Sequence, residues 1–149
     1  MMRLMHNGRF VALAALAVAL AGCNSMSTAR TTPVAGATLG DKPVDNALAQ
    51  RGAQVYMTKA CYTCHGLGAG ARRAAPDLLG ITDRRDHTWL RAWLLNTDSM
   101  ISSADPQVKA MLDEYKGVKM PQIKLNDNDV EALFHYMAQE SARIRASGK

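Results

Sequence analysis

Two cysteines and a histidine lie close together in the run Cys61-Tyr62-Thr63-Cys64-His65. Thiols and imidazoles in such a pattern serve redox exchange, metal binding or covalent attachment of a cofactor. A thioredoxin-like redox pair needs a β-α-β context, which this sequence lacks. A structural zinc site needs four ligands, and no second pair of cysteines follows the first. Cys-x-x-Cys-His is the attachment signature of c-type haem, so the sequence predicts one covalently bound haem c.

The spacing of the motif fits this chemistry. Two residues separate Cys61 from Cys64, which lets the two thiols reach the two vinyl groups on one edge of the ring. The adjacent His65 then directs its imidazole at the iron from one face of the haem. A plain disulfide between the cysteines would leave His65 unexplained.

Four stretches with helical periodicity surround the motif, and the last three are each preceded by a good N-cap residue. Gly117 is predicted to stop the third helix. No segment alternates for long enough to be a strand, so the sequence predicts a small all-α domain of about four helices. The predicted N-terminal ends of the four helices are Asp45, Asp86, Asp105 and Asn126.

The chain resembles the class I cytochromes c over most of residues 44–140. Gly52 and Tyr56 match the glycine and the aromatic of the family's first helix, and residues 133–137 match its last helix. Tyr56 lies five residues before Cys61, where many members have four. The resemblance implies an all-α class I cytochrome c fold of about four helices around one haem, in which the first and last helices cross at Gly52.

The loop Ala75-Pro76-Asp77-Leu78 resembles the family's Pro-x-Leu loop. In the family the proline carbonyl accepts the Nδ1 proton of the proximal histidine, which fixes the ring. The resemblance therefore implies that His65 is the proximal iron ligand and that Pro76 supports it.

The second axial ligand is predicted to be Met120, which precedes Pro121 in a loop where the family keeps its sixth ligand. Met100, in a predicted loop over residues 98–103, is the competing candidate. The methionines at helical positions are expected to fill the core. They are Met57, Met111 and Met137. His135 lies off the apolar face of the last helix and is expected to be solvated.

Weaker candidates flank the haem loops. Trp89 and Arg85 stand where family members place donors to the haem propionates, and arginine suits carboxylates by its fork geometry. The same region also holds Trp93, Arg84 and Arg91. Residues that could steer an acidic redox partner are Arg72, Arg73, Lys119 and Lys124.

The N-terminal residues 1–22 have the three parts of a signal peptide. A basic start is followed by an apolar run from Phe10 to Leu20 that is too short to span a bilayer. Leu20-Ala21-Gly22-Cys23 resembles the bacterial lipobox, which implies that Cys23 becomes an acylated N-terminus. An ordinary secretory signal cut near this point is the alternative. Export outside the cytoplasm also suits haem attachment.

Residues 23–43 are rich in Ser, Thr, Ala, Gly and Pro and are expected to be a flexible membrane tether, spanning roughly 25 Å. The haem domain is predicted over residues 44–145. The chain has 18 Lys and Arg against 13 Asp and Glu, and loss of Arg3 and Arg9 with the signal peptide leaves a net charge of +3. Such a small excess does not suggest a nucleic-acid partner.

These features predict a membrane-anchored, periplasm-facing electron carrier with His/Met iron ligation, not an enzyme, that exchanges electrons with other redox proteins and takes no small-molecule substrate. A five-coordinate haem that binds a small gas or peroxide is the alternative, as is a haem subunit of a larger respiratory enzyme. Asn24 weakly favours the outer membrane, and the choice between the inner and outer membrane stays open.

Overall fold

The computed structural model describes residues 33–68 and 74–148 of the 149-residue chain. Its described part holds a short hairpin, a 3₁₀ turn at Cys61–Thr63 and six helices. The strands are β1 (Thr38–Leu39) and β2 (Lys42–Pro43). The helices are α1 (Asn46–Thr58), α2 (Ile81–Arg84), α3 (His87–Leu95), α4 (Thr97–Ser102), α5 (Pro106–Glu114) and α6 (Asp127–Ala146).

All four predicted helix starts are confirmed. The side chains of Asp45, Asp86 and Asp105 each accept hydrogen bonds from backbone N–H groups in the first turn of α1, α3 and α5. Asn126 and Asp129 form a reciprocal capping box at the start of α6. These side chains satisfy N–H groups that have no partner within the helix, which fixes where each helix begins.

The crossing of α1 and α6 is the core of the domain. Gly52 allows the two backbones to meet, because a β-carbon built at this position would lie 2.0 Å from the carbonyl oxygen of Ala132. One turn further along α1, the ring of Tyr56 packs at 5.4 Å from the ring of Tyr136. Val130, Leu133, Phe134 and Met137 extend this core along α6.

The hairpin lies within the segment that the sequence analysis assigned to the tether. Thr38 pairs with Pro43 and Leu39 with Lys42, and Leu39 packs against the core. Two-residue strands are too short to show alternation, which explains why they were not predicted. The signal that marks them is the Gly40-Asp41 turn, where Gly40 has a φ of 59°.

Two expectations about single side chains are wrong. His135 is buried rather than solvated: its Nδ1 accepts from the backbone N–H of Asp45 at 3.0 Å, and its Nε2 lies 3.6 Å from Glu131. Met57 does not fill the core but is 53% exposed, because it lies on the outer face near the end of α1.

Among the described residues, no helix combines the length and the apolar character needed to cross a membrane.

Candidate functional site

A large open cavity of about 980 Å³ lies between the Cys-x-x-Cys-His segment and the helices α3 and α5. Its walls come from three parts of the chain, within residues 59–65, 74–93 and 106–123. No described residue of α6 or of the hairpin lines it. The volume is at the upper end of the range for small-molecule sites, so the cavity is large enough for an extended flat group.

Both thiols of the motif lie in the wall of this cavity. A 3₁₀ turn over Cys61–Thr63 follows α1 through Ala60, which has a left-handed backbone with a φ of 56°. Neither cysteine is in a disulfide. Cys61 is half-buried and Cys64 is exposed, and burial raises the pKa of the Cys61 thiol. The turn therefore presents two free thiols, three positions apart, to the same space.

His65 is held in one tautomer. Its Nδ1 lies 2.8 Å from the carbonyl oxygen of Pro76, and because that oxygen can only accept, Nδ1 carries the proton. Burial lowers the pKa of His65, although the bond to Pro76 and the charge of Asp77 oppose this effect. A neutral ring with protonated Nδ1 leaves Nε2 as the lone-pair nitrogen, which is the form that binds a metal.

Two side chains missed by the sequence analysis hold the backbone around this histidine. The hydroxyl of Tyr56 donates to the carbonyl oxygen of His65 at 3.0 Å. The carboxylate of Asp77 accepts from the backbone N–H of Gly68 at 2.9 Å and from that of Leu79 at 2.7 Å. Asp77 was part of the quoted Pro-x-Leu loop, but its bond across to Gly68 has no signal in the local sequence.

The two competing methionines have different surroundings. Met120 lines the cavity, from the segment between α5 and α6. Met100 is not among the lining residues, and it lies on helix α4 rather than in the predicted loop. Met111 was expected to fill the core, but it also lines the cavity. It is therefore a second methionine in the same wall as Met120.

The candidate propionate donors fall into two groups. Trp89 and Trp93 stack at 5.7 Å and line the cavity, as do Arg84 and Arg85. The guanidinium of Arg85 lies 5.2 Å from the centre of the Trp89 ring. That of Arg84 donates instead to the backbone carbonyls of Asp77 and Leu79.

Trp89 also carries an unsatisfied polar atom. Its indole nitrogen is buried and, within the described part of the chain, has no hydrogen-bond partner at bonding distance. A backbone hydrogen bond from Val108 lowers the pKa of the neighbouring Asp105, and the Trp89 indole contributes to the same shift. A buried N–H that lacks a hydrogen-bond acceptor costs free energy. This fits a site in which a bound group supplies the acceptor.

Arg91 does not belong to the site. It lies on the other side of α3, where its guanidinium pairs with Asp127 at 2.8 Å and with Glu131 at 2.6 Å. Arg91 is two positions from both Trp89 and Trp93, so on the helix it points to the opposite side from them.

Of the predicted steering residues, Lys119 is exposed and lines the cavity, while Lys124 is exposed beyond it. Lys59, not considered in the sequence analysis, also lies at the cavity wall. The predictions for Cys23, Arg72 and Arg73 fall outside the described residues.

The donor set fits a covalent haem. Among the described residues, no group of three or more His, Cys, Asp or Glu side chains could hold a bare metal ion. Two free thiols and a metal-binding imidazole instead share one large cavity with two thioethers and two tryptophans. Thioether bonds to the thiols and an iron bond to the imidazole are what such a set supports.

Comparisons with known proteins agree with this geometry. The cytochrome c family model matches residues 49–141. A cytochrome c from Rhodothermus marinus is 32% identical with a TM-score of 0.61, and the match covers 75% of this chain and 91% of that one. The cytochrome c domain of a Pseudomonas putida protein is 35% identical with a TM-score of 0.57, covering 64% and 92%.

An engineered cytochrome c from Rhodothermus marinus is 32% identical with a TM-score of 0.59, and the match covers 74% of this chain and 90% of that one. No curated protein matches the chain at a significant level. The family match covers more than half of the chain and includes the whole Cys-x-x-Cys-His motif. The chain therefore belongs to the cytochrome c family and carries one covalently attached haem c.

Proposed function

We propose that this protein is a one-electron carrier whose haem iron is bound by His65 and Met120. The observation that carries the proposal is the state of His65. Its Nδ1 proton is used in the 2.8 Å bond to Pro76, so Nε2 is free to bind iron. The same cavity wall carries the Met120 thioether.

The two axial ligands decide the chemistry. Bound haem supplies a couple between ferric and ferrous iron, and thioether ligation raises its potential relative to two histidines. With His65 and Met120 in place, neither face of the iron is open to a substrate. These two side chains would keep the coordination of the iron unchanged while the iron changes its oxidation state. This suits electron transfer to and from other redox proteins.

Arg85 and Trp89 are our candidates for the donors to the haem carboxylates. The guanidinium of Arg85 is oriented by its stacking on Trp89 and by a bond to Gln107. Arg84 is less suited, because its guanidinium already donates to the backbone carbonyls of Asp77 and Leu79. Lys59 and Lys119 add positive charge beside the cavity, which favours a partner with an acidic docking face.

The ligand assignment predicts that the Met120→Ala variant loses the weak long-wavelength ferric band of methionine–iron ligation. We expect the ferrous variant to bind carbon monoxide and the wild-type protein to resist it, since only the variant has an open coordination position. Absorption spectra of protein matured in a periplasm with haem-attachment machinery measure both effects.

Two matched variants serve as controls for this experiment. Met111→Ala removes the other methionine of the cavity wall, and Met100→Ala removes one that lies outside it. Both are expected to keep the band and the resistance to carbon monoxide. Loss of the band in Met111→Ala would move the ligand to that residue. Ready carbon monoxide binding by wild type would instead support the five-coordinate alternative, a haem that binds a small gas or peroxide.

We further propose that the protein is a bacterial lipoprotein anchored through Cys23 and facing the periplasm. The support is the Leu20-Ala21-Gly22-Cys23 sequence behind an apolar run of signal-peptide length. An acylated N-terminus with two or more chains gives stable membrane attachment. The tether would then raise the local concentration of the carrier near partners at the same membrane.

The anchor predicts that a Cys23→Ser variant, exported behind an ordinary secretory signal peptide in place of residues 1–22, shifts from the membrane to the soluble fraction without loss of haem. The reason is that the variant has no thiol to acylate, whereas Cys61 and Cys64 are unchanged. Fractionation followed by haem staining measures the shift, and the intact mass of the wild-type protein reports acyl chains. A wild-type protein that is already soluble, with the mass of an unmodified chain, contradicts the anchor.

A further inference from the structure

The loop that carries Pro76 is joined by hydrogen bonds to the chain that follows Cys64. The ring of His65 donates to the carbonyl oxygen of Pro76 at 2.8 Å. Two positions further along the loop, the backbone N–H of Leu78 donates to the carbonyl oxygen of Gly66 at 2.9 Å. The first bond needs the imidazole of the proposed iron ligand and the second joins two backbone groups. Neither bond therefore depends on which side chain stands between Pro76 and Leu78.

Asp77 stands at that position and adds a contact of a different kind. Its Oδ1 accepts from the backbone N–H of Gly68 at 2.9 Å and from that of Leu79 at 2.7 Å. Its Oδ2 lies 3.0 Å from the same nitrogen of Gly68. Hydrogen bonds to an ionised acceptor are stronger than those between neutral groups. The carboxylate is therefore fixed from two sides, on the residue next to the carbonyl group that holds His65.

The negative charge of this carboxylate has no close cation within residues 33–68 and 74–148. No lysine or arginine of these ranges forms an ion pair with it. Arg84 donates to the backbone carbonyl of Asp77 rather than to its side chain, and Arg145 pairs with Asp83. Asp77 is also half-buried and lines the cavity, so water screens its charge less than that of an exposed carboxylate.

The charge of Asp77 acts on the ring of His65. Burial has the largest effect on the pKa of His65 and lowers it, whereas the bond to Pro76 and the charge of Asp77 raise it. The carboxylate thus stabilises positive charge on the imidazole. Ferric iron carries one more positive charge than ferrous iron. With iron on Nε2, the same carboxylate therefore stabilises the ferric state more than the ferrous state.

We propose that Asp77 is a positioning residue that lowers the reduction potential of the haem. Its bonds to Gly68 and Leu79 hold the carboxylate beside the carbonyl group of Pro76, and its negative charge favours ferric iron. The inference rests on the part of the proposed function that places His65 on the iron. It does not require Met120 on the other face.

The Asp77→Asn variant tests the charge, because the amide oxygen of asparagine can replace Oδ1 and keep both backbone bonds. At an effective dielectric constant of about 20, a unit charge within about 10 Å changes a one-electron equilibrium by roughly tenfold, and salt reduces this to a few-fold. We expect the ratio of ferrous to ferric protein at a fixed solution potential to rise at least about threefold. This equals about 30 mV at about 59 mV per tenfold change. Spectroelectrochemical titration of the haem-loaded protein measures it.

Asp83→Asn is the matched control for the loss of one negative charge. Asp83 lies on the nearby helix α2, pairs with Arg145 and is not among the residues that line the cavity. Its charge is already balanced and is about half exposed, so its removal should shift the potential by less than half as much. An equal shift in the two variants would mean that the position of Asp77 has no special effect, which overturns the proposal.

Asp77→Glu separates the charge from the fit of the side chain. Glutamate keeps the charge, but its extra methylene group prevents its oxygens from taking the positions of the Asp77 oxygens. We expect its potential to lie closer to that of wild type than the potential of Asp77→Asn does. A purely structural role predicts the reverse order, because the amide fits the site better. That reverse order, or equal potentials in wild type and Asp77→Asn, overturns the proposal.

Two further variants keep every outcome decisive. If Asp77→Asn holds no haem, Asp77→Ser takes its place, and loss of haem in both overturns the proposal, since Asp77 would then be needed for folding. A His65→Ala variant with the wild-type ferrous spectrum would contradict the ligation of iron by His65. Carbon monoxide binding by wild type would contradict only the ligation by Met120. The potentials would still report on Asp77, because all the compared proteins share the same second face of the haem.

Discussion

Replacing Gly52 with alanine is expected to destabilise the haem-loaded domain by about 3 kcal/mol, although alanine is the better helix former. At an exposed helix position the same change would stabilise by about 1 kcal/mol. Here the added β-carbon would lie 2.0 Å from the carbonyl oxygen of Ala132 and 2.7 Å from the β-carbon of Tyr136. Two of the nearest atoms belong to the backbone of α6, so the clash cannot be relieved by a side-chain rotation.

Thermal unfolding of the haem-loaded protein, followed by far-ultraviolet circular dichroism, measures the effect of Gly52→Ala. Gln54→Ala is a matched control, because Gln54 lies on the same helix and is exposed. The control should change the midpoint by no more than a few degrees. A Gly52→Ala variant as stable as the control would mean that α1 and α6 do not approach as closely as described.

The parts of the fold that the sequence predicted are those that depend on neighbouring residues. An N-cap such as Asp105 or Asn126 bonds to N–H groups two or three positions away, so its signal is contained in a few letters. The Cys-x-x-Cys-His motif is equally local. The resemblance to a family added what spacing could not supply, namely the pairing of His65 with Pro76, which lies eleven positions further along the chain.

The errors concern contacts between distant parts of the chain. His135 was expected to be solvated because it lies off the apolar stripe of α6. That helix packs against α1, α2, α3 and the hairpin, so several of its polar residues, such as Gln139 and Ser141, are buried as well. Periodicity indicates the most apolar face of a helix, but it does not indicate how many other helices or strands pack around that helix.

The same limit affected the site. Arg85 and Arg91 were both named in the region of candidate propionate donors, yet the first lines the cavity and the second pairs with acidic residues of α6. Which side of α3 meets the haem depends on where α6 crosses it, and that is set by packing rather than by local sequence. The hairpin is a further case, because its two-residue strands gain their stability from the core beneath Leu39.

Removing the haem is expected to melt one part of this domain and spare another. The cavity of about 980 Å³ is open, so without the haem its largely apolar lining would face water, and each Å² of apolar surface left in water costs about 25 cal/mol. Walls that bury little else are therefore expected to lose their packing. Helix α5 is the weakest wall, since Val108 is its only buried residue, while its Met111 lines the cavity. The crossing of α1 and α6 does not depend on the cavity.

In a haem-free Cys61→Ala/Cys64→Ala variant, protection of the backbone amides from hydrogen exchange should therefore be lost in some helices and kept in others. We expect α5 and residues 115–125 to exchange like an unfolded chain. The buried centre of α6 should keep at least about tenfold protection, equivalent to about 1.4 kcal/mol. The haem-loaded wild-type protein is the control, and both regions should be protected in it. Equal protection of α5 and α6 in the haem-free variant would show that α5 is stable without the haem. Complete loss in both would show that the contact between α1 and α6 also depends on the haem.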